Sequence, residues 1–162
     1  MGKKSIGVIE GIICGSAIVG TYIGKRAKEQ LQKEREKADK HLELYLVLYQ
    51  WIKLQQEGKN IAHYFQKNGY NTVAIYGMSH MGELVYRELR NSDIKVSYGI
   101  DKNRTGTFDE IDIYTMDSFL GKVDVIVVTA VTYYDEIKRE LKSKVKCPII
   151  SLDDVIYSLV ED

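Results

Sequence analysis

The sequence is poor in the residues on which disulfide-stabilised and metal-binding proteins depend. Only two of its 162 residues are cysteines, Cys14 and Cys147, and they lie in different segments. This excludes a disulfide framework and favours a reducing compartment. The three histidines, His41, His63 and His80, are scattered, and no pair of them has ligand spacing with a cysteine or an acid cluster. We therefore predict no metal site.

The chain also has little proline and no net charge, and each of these excludes a class of protein. The chain contains a single proline, Pro148, and its 23 basic and 23 acidic residues leave no formal net charge. So little proline argues against long disordered linkers. Without a basic excess or a nucleic-acid-binding motif, we predict no nucleic-acid partner. The length and the 44% of hydrophobic residues suit one globular domain with an appendage.

The first feature that is present is an apolar segment. Residues 5–24, SIGVIEGIICGSAIVGTYIG, carry one charge, Glu10, and have basic residues on both sides. About 20 apolar residues span a bilayer as a helix, and glycines four residues apart let such helices approach closely. We predict a transmembrane anchor over residues 1–24. The alternatives are a cleaved signal peptide and a helix lying on the membrane surface.

Residues 25–56 contain no glycine or proline and predict a continuous helix. Its first half is strongly charged, which predicts a solvated stalk, and the basic excess beside the anchor places the globular part in the cytoplasm. In its second half, Leu42, Tyr45, Tyr49 and Ile52 recur at helical spacing, and Leu46, Leu48 and Trp51 widen that face. We expect this face to pack on its own domain or to form a homodimer through residues 42–54.

Residues 58–162 alternate between strand-like and helix-like segments, which predicts an α/β fold with a three-layer parallel sheet. Its clearest part is a βαβ unit over 72–103. There, a strand at 72–76 leads into a glycine turn, a helix at 82–90 and a second strand at 94–100. The other predicted elements are helices at 61–67, 133–144 and 152–160, strands at 111–114, 123–129 and 148–151, a helical turn at 116–120 and a polar loop at 102–110. The predicted domains are therefore an anchor (1–24), a helical stalk and packing helix (25–57) and a Rossmann-like nucleotide-binding domain (58–162).

The glycine turn indicates the chemistry of a ligand. Unpaired N–H groups at a helix start attract a phosphate, and an acid at the end of the next strand can accept bonds from ribose hydroxyls. Gly77-x-Ser79-x-x-Gly82 departs from the dinucleotide pattern because Ser79 replaces the middle glycine, and Asp101 follows Gly77 by 24 residues. The alternative is that the glycines only shape the turn and that Ser79 caps the helix.

These residues carry a resemblance to a known family. The turn Gly77-x-Ser79-x-x-Gly82, the loop Asp101-Lys-Asn-Arg-Thr-Gly106 and the strand VIVVT at 125–129 resemble the C-terminal domain of sugar C-methyltransferases and related polysaccharide-biosynthesis proteins. The resemblance covers roughly residues 58–158. In that family methyl transfer belongs to a separate domain and a zinc-binding segment, so the resemblance implies a Rossmann-like fold and a biosynthetic setting but no methyl transfer.

Ligands of such sheets bind at the carboxyl ends of the strands, where the strand order switches. Three segments reach that edge: the glycine turn, the loop after the second strand, and the segment that follows the buried strand VDVIVVT. NAD or a nucleotide-sugar is the ligand type that the unit predicts. The candidate binding residues are Gly77, Met78, Ser79, His80, Met81, Gly82, Asp101, Asn103, Thr129, Thr132 and Tyr133.

No set of residues predicts catalysis. Tyr134-x-x-x-Lys138 has the spacing of the catalytic pair of short-chain dehydrogenases, but it follows Gly77 by only 57 residues, and the same spacing recurs by chance at Tyr49 and Lys53. The sequence favours a membrane-tethered binding or accessory module that works with polysaccharide-biosynthesis enzymes. An alternative is an NAD-dependent nucleotide-sugar epimerase or reductase completed by a partner, and a third reading is a structural scaffold with an empty site.

Overall fold

The computed structural model describes residues 4–103, 105–118 and 120–161, with the backbone alone for residues 4–23. The chain divides into two compact units, Met1–Leu42 and Glu43–Asp162. One helix, α1 (Lys4–Gln56), contributes to both units. The helix predicted over 25–56 is therefore confirmed, and it ends before Gly58, whose φ of +76° stops the helical path.

In the first unit, the described side chains of α1 face solvent. Residues 24–39 are all exposed, and neighbouring turns are joined by polar contacts, such as the 3.0 Å ion pair between Lys37 and Glu34. Exposed pairs of this kind contribute only a few tenths of a kcal/mol each. Charge and helix propensity, rather than burial, shape this part of the chain.

No helix among the described residues is long and apolar enough to span a membrane. The predicted anchor, residues 5–24, lies outside the residues whose side chains the structure describes, apart from Gly24. The anchor therefore stays a prediction.

In the second unit, the described residues form one six-stranded sheet in the order β3-β4-β2-β1-β5-β6. All neighbouring pairs are parallel except β3 and β4, which are antiparallel. The strands are β1 (Thr72–Tyr76), β2 (Lys95–Ile100), β3 (Gly106–Phe108), β4 (Ile111–Tyr114), β5 (Val125–Val128) and β6 (Ile149–Ser151). The remaining helices are α2 (Ile61–Lys67), α3 (His80–Leu89), α4 (Tyr134–Leu141) and α5 (Leu152–Ser158), with a 3-10 turn at Val131–Tyr133.

Helices cover both faces of the sheet, so the predicted α/β class and three layers are confirmed. Alternate residues of β1 enter opposite cores because side chains of a strand alternate between its faces. Val73 and Ile75 pack with α1, α2, α3 and α5, whereas Ala74 and Tyr76 pack with α4. Both faces of β1 and β5 are buried, as apolar central strands require.

Three details of the predicted elements are wrong. Strand β3 lies inside the predicted polar loop 102–110, and its antiparallel pairing with β4 means that the sheet is not wholly parallel. Three residues that include Gly106 carry too weak a local preference to signal a strand, so pairing with β4 defines it. The predicted helical turn at 116–120 is non-helical in its described residues, 116–118 and 120.

The second half of α1 buries a face that shares only Trp51 and Leu48 with the predicted one. Val47, Trp51 and Leu54 are buried in the core with α2 and α3. Leu42, Tyr45, Leu46, Tyr49 and Ile52 are instead between 46% and 59% exposed. The segment is apolar on most of its circumference, so its periodicity could not select the face that packs.

A carboxylate clamp fixes this part of α1 to the rest of the unit. Glu88 of α3 accepts hydrogen bonds from the indole N–H of Trp51 and the amide of Gln55, both at 2.7 Å, through one oxygen. Its other oxygen accepts from the backbone N–H of Ile61 at 2.8 Å, at the start of α2. One side chain therefore joins three helices through charge-assisted bonds.

Candidate functional site

A cavity of about 670 Å³ lies at the carboxyl ends of β1, β2 and β5. From β1 the chain passes to β2 on one side of the sheet, and β5 lies on the other side, so the strand order reverses at this point. Such switch points hold the ligands of open α/β sheets, and the volume suits a small organic ligand. Its walls come from three segments: the glycine turn with the start of α3, the loop after β2, and the segment from the end of β5 into α4.

The two glycines of the turn are required by the backbone. Gly77 has φ of +94°, and a Cβ there would lie 2.7 Å from Oγ1 of Thr129. A Cβ on Gly82 would lie 2.1 Å from the carbonyl oxygen of Gly77. The first glycine therefore makes the turn, and the second lets α3 approach the end of β1.

Asp101 holds the turn in place. One carboxylate oxygen accepts from the backbone N–H of Met78, and the other accepts from the backbone N–H of Asn103, both at 2.8 Å. A carboxylate oxygen has two lone pairs, so each can still accept a bond from a ligand hydroxyl. Asp101 therefore has a structural role in addition to the ribose-binding role predicted from the sequence.

Ser79 occupies the N-cap position of α3, but its side chain makes no capping hydrogen bond. It is exposed, as is His80, and both line the cavity. The reading in which Ser79 caps the helix is supported by its N-cap position but not by a side-chain hydrogen bond. Its hydroxyl is not engaged with the helix N–H groups.

The structure brings seven of the eleven candidate residues together around the cavity. They are Gly77, Met78, Ser79, His80, Asp101, Asn103 and Tyr133. Four others do not line it: Met81, Gly82, Thr129 and Thr132. Met81 is buried in the core, and the buried Thr129 donates its hydroxyl to the carbonyls of Tyr76 and Gly77, at 3.1 and 2.7 Å. These two residues pack behind the turn, on the side away from the cavity.

The segments predicted to reach this edge include Lys102 and Ala130, but the list of candidate binding residues omits these two and four other lining residues. The omitted residues are Tyr76, Glu83, Lys102, Ala130, Glu136 and Ile137. Helical spacing from Tyr133 points to Glu136 and Ile137, because residues three and four apart share a helix face. Tyr76 ends β1 directly before the turn, but nothing in its sequence context distinguishes it from a core tyrosine.

Tyr76 carries an unusual hydroxyl group. The residue is 4% exposed, and its hydroxyl has no hydrogen-bond partner among the described residues. Burial raises the pKa of Tyr76 to about 12, and the carboxylates of Glu140, Asp101 and Glu136 add to the effect. The group therefore stays protonated at neutral pH and can donate a hydrogen bond to a ligand.

The charged residues around the cavity are mainly acidic. Among the described residues, three carboxylates, those of Glu83, Asp101 and Glu136, and the ammonium of Lys102 line it. The ammonium of Lys102 lies 3.8 Å from a carboxylate oxygen of Glu136, and both side chains are 55% exposed. A pair this long and this exposed holds neither group firmly.

Tyr134 and Lys138 are close together but do not line the cavity. The Tyr134 hydroxyl donates to the carbonyl of Ile149 at 2.8 Å, and the Lys138 ammonium donates to that hydroxyl at 2.8 Å. The contact with Tyr134 also raises the pKa of Lys138. The pair connects α4 to β6, which is a packing role.

No family model, no curated protein and no solved structure matches this chain. The resemblance to the C-terminal domain of sugar C-methyltransferases therefore stays a prediction from the residues that carry it.

Proposed function

We propose that this chain is a Rossmann-like binding module that holds a nucleotide or nucleotide-sugar for cell-surface polysaccharide synthesis, without catalysing a reaction itself. The observation that carries the proposal is the convergence of the glycine turn, Asp101 and the segment around Tyr133 on one cavity at the switch point of the sheet. This is the position at which open α/β sheets bind nucleotides.

Each wall of the cavity can contact a different part of a nucleotide. The start of α3 carries the positive end of the helix dipole, which suits a phosphate. The carboxylate of Asp101 suits ribose hydroxyls, and the apolar side chains of Ala130 and Ile137 offer contacts to an uncharged group. A nucleotide has all three kinds of group.

The setting proposed for the module rests on the sequence. Residues 5–24 tether it to a membrane, with the globular part in the cytoplasm beside polysaccharide-biosynthesis enzymes. The exposed apolar residues of α1 support a homodimer through residues 42–54. An NAD-dependent epimerase or reductase fits less well, because Tyr134 and Lys138 do not line the cavity.

A ligand panel tests the proposal. Thermal unfolding of the full chain in detergent would be followed with the diphosphates of the common nucleosides, their sugar esters and NAD. We expect at least one nucleoside diphosphate or sugar ester to raise the melting temperature. Asp101→Ala should weaken its binding about tenfold, for a lost charged hydrogen bond worth about 1.4 kcal/mol.

Asp124→Ala is the matched control. Asp124 also accepts two backbone N–H bonds, from Asn71 and Thr72, but at the opposite ends of the strands. Its loss should change stability without changing affinity. The proposal is wrong if no compound of the panel binds, or if Asp124→Ala weakens binding as much as Asp101→Ala.

A further inference from the structure

The end of the cavity beside α4 differs in chemistry from the glycine turn. It is formed by Tyr76, Tyr133 and Glu136, together with the apolar Ala130 and Ile137. We refer to these five residues as the α4 side of the cavity. Tyr76 contributes a buried hydroxyl that has no hydrogen-bond partner among the described residues.

Two further groups accompany that hydroxyl. Glu136 presents a carboxylate 3.8 Å from the ammonium of Lys102 on a side chain that is 55% exposed, and Tyr133 is 51% exposed, so its aromatic side chain is accessible. A carboxylate accepts hydrogen bonds from hydroxyl groups, a tyrosine hydroxyl can donate one, and an aromatic ring packs against the C–H face of a sugar. Together they form a set of partners for a group that carries several hydroxyls.

We infer that the α4 side of the cavity is a subsite for an uncharged, hydroxyl-rich group, namely the sugar of a nucleotide-sugar. This inference rests on the proposed function, in which the glycine turn and Asp101 hold the nucleotide part. The Tyr76 hydroxyl is closed to solvent in this structure. A sugar hydroxyl can therefore reach it only after side chains at the rim of the cavity move.

The negative charge on the α4 side of the cavity favours a neutral sugar over an acidic one. Glu136 lines it, and Glu140 and Asp101 are near enough to act on the Tyr76 hydroxyl. Among the described residues, Lys102 is the one lysine or arginine that lines the cavity. A second phosphate or a uronic acid placed here would meet like charge, which disfavours binding.

Calorimetric titration of the full chain in detergent tests the inference with matched ligand pairs. Each of UDP, GDP, CDP, ADP and dTDP would be compared with its neutral hexose ester, such as UDP-glucose or GDP-mannose. In the series that binds, we expect the ester to bind at least tenfold more tightly than the bare diphosphate. If that series is the uridine one, UDP-glucuronate should bind no more tightly than UDP.

Two variants and one control test whether the tighter binding of the ester depends on the α4 side of the cavity. Tyr76→Phe and Glu136→Gln should each reduce the advantage of the ester to about threefold or less while leaving the affinity for the bare diphosphate unchanged. Tyr98→Phe removes another buried hydroxyl from the same hydrophobic cluster, one that already donates to the carbonyl of Gly121, so it should leave the advantage intact.

The outcomes separate the two proposals. If a diphosphate binds and is sensitive to Asp101→Ala, but its ester binds no more tightly, the proposed function stands and the sugar subsite is wrong. The subsite is also wrong if the advantage survives both Tyr76→Phe and Glu136→Gln. If no diphosphate and no ester binds, both proposals are wrong.

Discussion

Tyr76 and Tyr98 are two buried tyrosines of one hydrophobic cluster with opposite hydrogen-bond states. The Tyr98 hydroxyl donates to the carbonyl of Gly121 at 2.6 Å, whereas that of Tyr76 has no partner among the residues described. Burying a polar group without a partner costs about 1–3 kcal/mol, and native proteins contain few such groups. A ligand that supplies the partner would recover part of that cost.

Tyr76→Phe should therefore stabilise the ligand-free protein. We expect its free energy of unfolding to rise by about 1 kcal/mol, because the unpaired hydroxyl is removed and the ring is kept. Tyr98→Phe should instead lower it by about 1 kcal/mol, because the bond to Gly121 is lost. Urea denaturation at pH 8 measures both. A Tyr76→Phe protein less stable than the wild type would mean that the hydroxyl has a partner in solution.

The same two tyrosines should make the protein sensitive to alkali. A tyrosine in the unfolded chain has a pKa near 10, whereas burial raises the pKa of Tyr76 and of Tyr98 to about 12 in the folded state. Between these values the unfolded chain loses its protons first, so stability that is complete below pH 10 is lost as the pH rises towards 12. Each phenylalanine variant should lose less stability between pH 9 and pH 11 than the wild type, as measured by urea denaturation. Equal losses of stability in the wild type and both variants would contradict the raised pKa values of the two tyrosines.

Gly82 tests whether the glycine turn is as closely packed as the distances indicate. Gly82→Ala would place a Cβ 2.1 Å from a backbone carbonyl oxygen, so we expect a loss of about 3 kcal/mol. Gly121→Ala is the control, because a Cβ there would have its nearest contact at 3.5 Å, with the Tyr98 ring. Denaturation curves that place both variants at equal stability would show that α3 can move away from β1.

Site residues could be predicted from the sequence where the backbone conformation or the position at a strand end requires that type of residue. Gly77 was predicted because a left-handed turn needs glycine, and Asp101 because it directly follows a strand that pairs with β1. Tyr76 and Glu136 were not, because their role depends on side chains brought together from β1 and α4. Thr129 was assigned to the ligand, yet its hydroxyl is used by two backbone carbonyls, a contact with no local signal in the sequence.

At the scale of the element, α1 serves two purposes within residues 43–56. One face buries Val47, Trp51 and Leu54, and the other leaves Tyr45, Tyr49 and Ile52 exposed. The rings of Tyr45 and Tyr49 stack at 6.5 Å and form a continuous apolar strip. The prediction of a homodimer rested on the spacing of this strip, and its exposure leaves it available to another copy.

Self-association should depend on that strip. We expect residues 25–162 to sediment as a dimer, and the double variant Tyr45→Glu, Tyr49→Glu to sediment as a monomer, because charge at a and d positions opposes helix pairing. Leu84→Glu is the control, since Leu84 is similarly exposed at 45% but lies on α3. A monomeric parent chain at all concentrations tested would refute the homodimer.

Strands and helices were predicted correctly when their own residues carry the pattern of the element. The run TVAIY and the buried run VIVV match β1 and β5. The helix predicted at 61–67 matches α2, which Asn60 caps by accepting from the N–H of His63. Strand β3 could not be predicted in this way, because its three residues become a strand only through pairing with β4.

On the scale of the whole molecule, the absence of net charge conceals an uneven distribution. Residues 25–40 carry seven basic and four acidic residues, so the rest of the chain has an acidic excess. Basic residues beside a membrane segment are attracted to anionic lipids of the cytoplasmic leaflet, whereas the acidic remainder is repelled. This distribution supports a tethered module whose globular part stays off the membrane surface.

Removal of residues 1–24 should convert the chain from a membrane-bound to a freely sedimenting protein. The reason is that the apolar segment is the one part of the sequence long enough to span a bilayer. Fractionation of cells that express the full and the shortened chain measures this. Release of the full chain by alkaline carbonate would contradict the anchor.

The clamp at Glu88 has a consequence for how the two ends of α3 influence each other. The first turn of α3 borders the cavity, and Glu88, near its other end, holds Trp51 and Gln55 of α1. A ligand that restrains the first turn should therefore slow amide hydrogen exchange in residues 47–56, some distance from any contact with it. By thermodynamic reciprocity, a partner whose binding orders this part of α1 should tighten ligand binding by the factor by which the ligand tightens the binding of that partner.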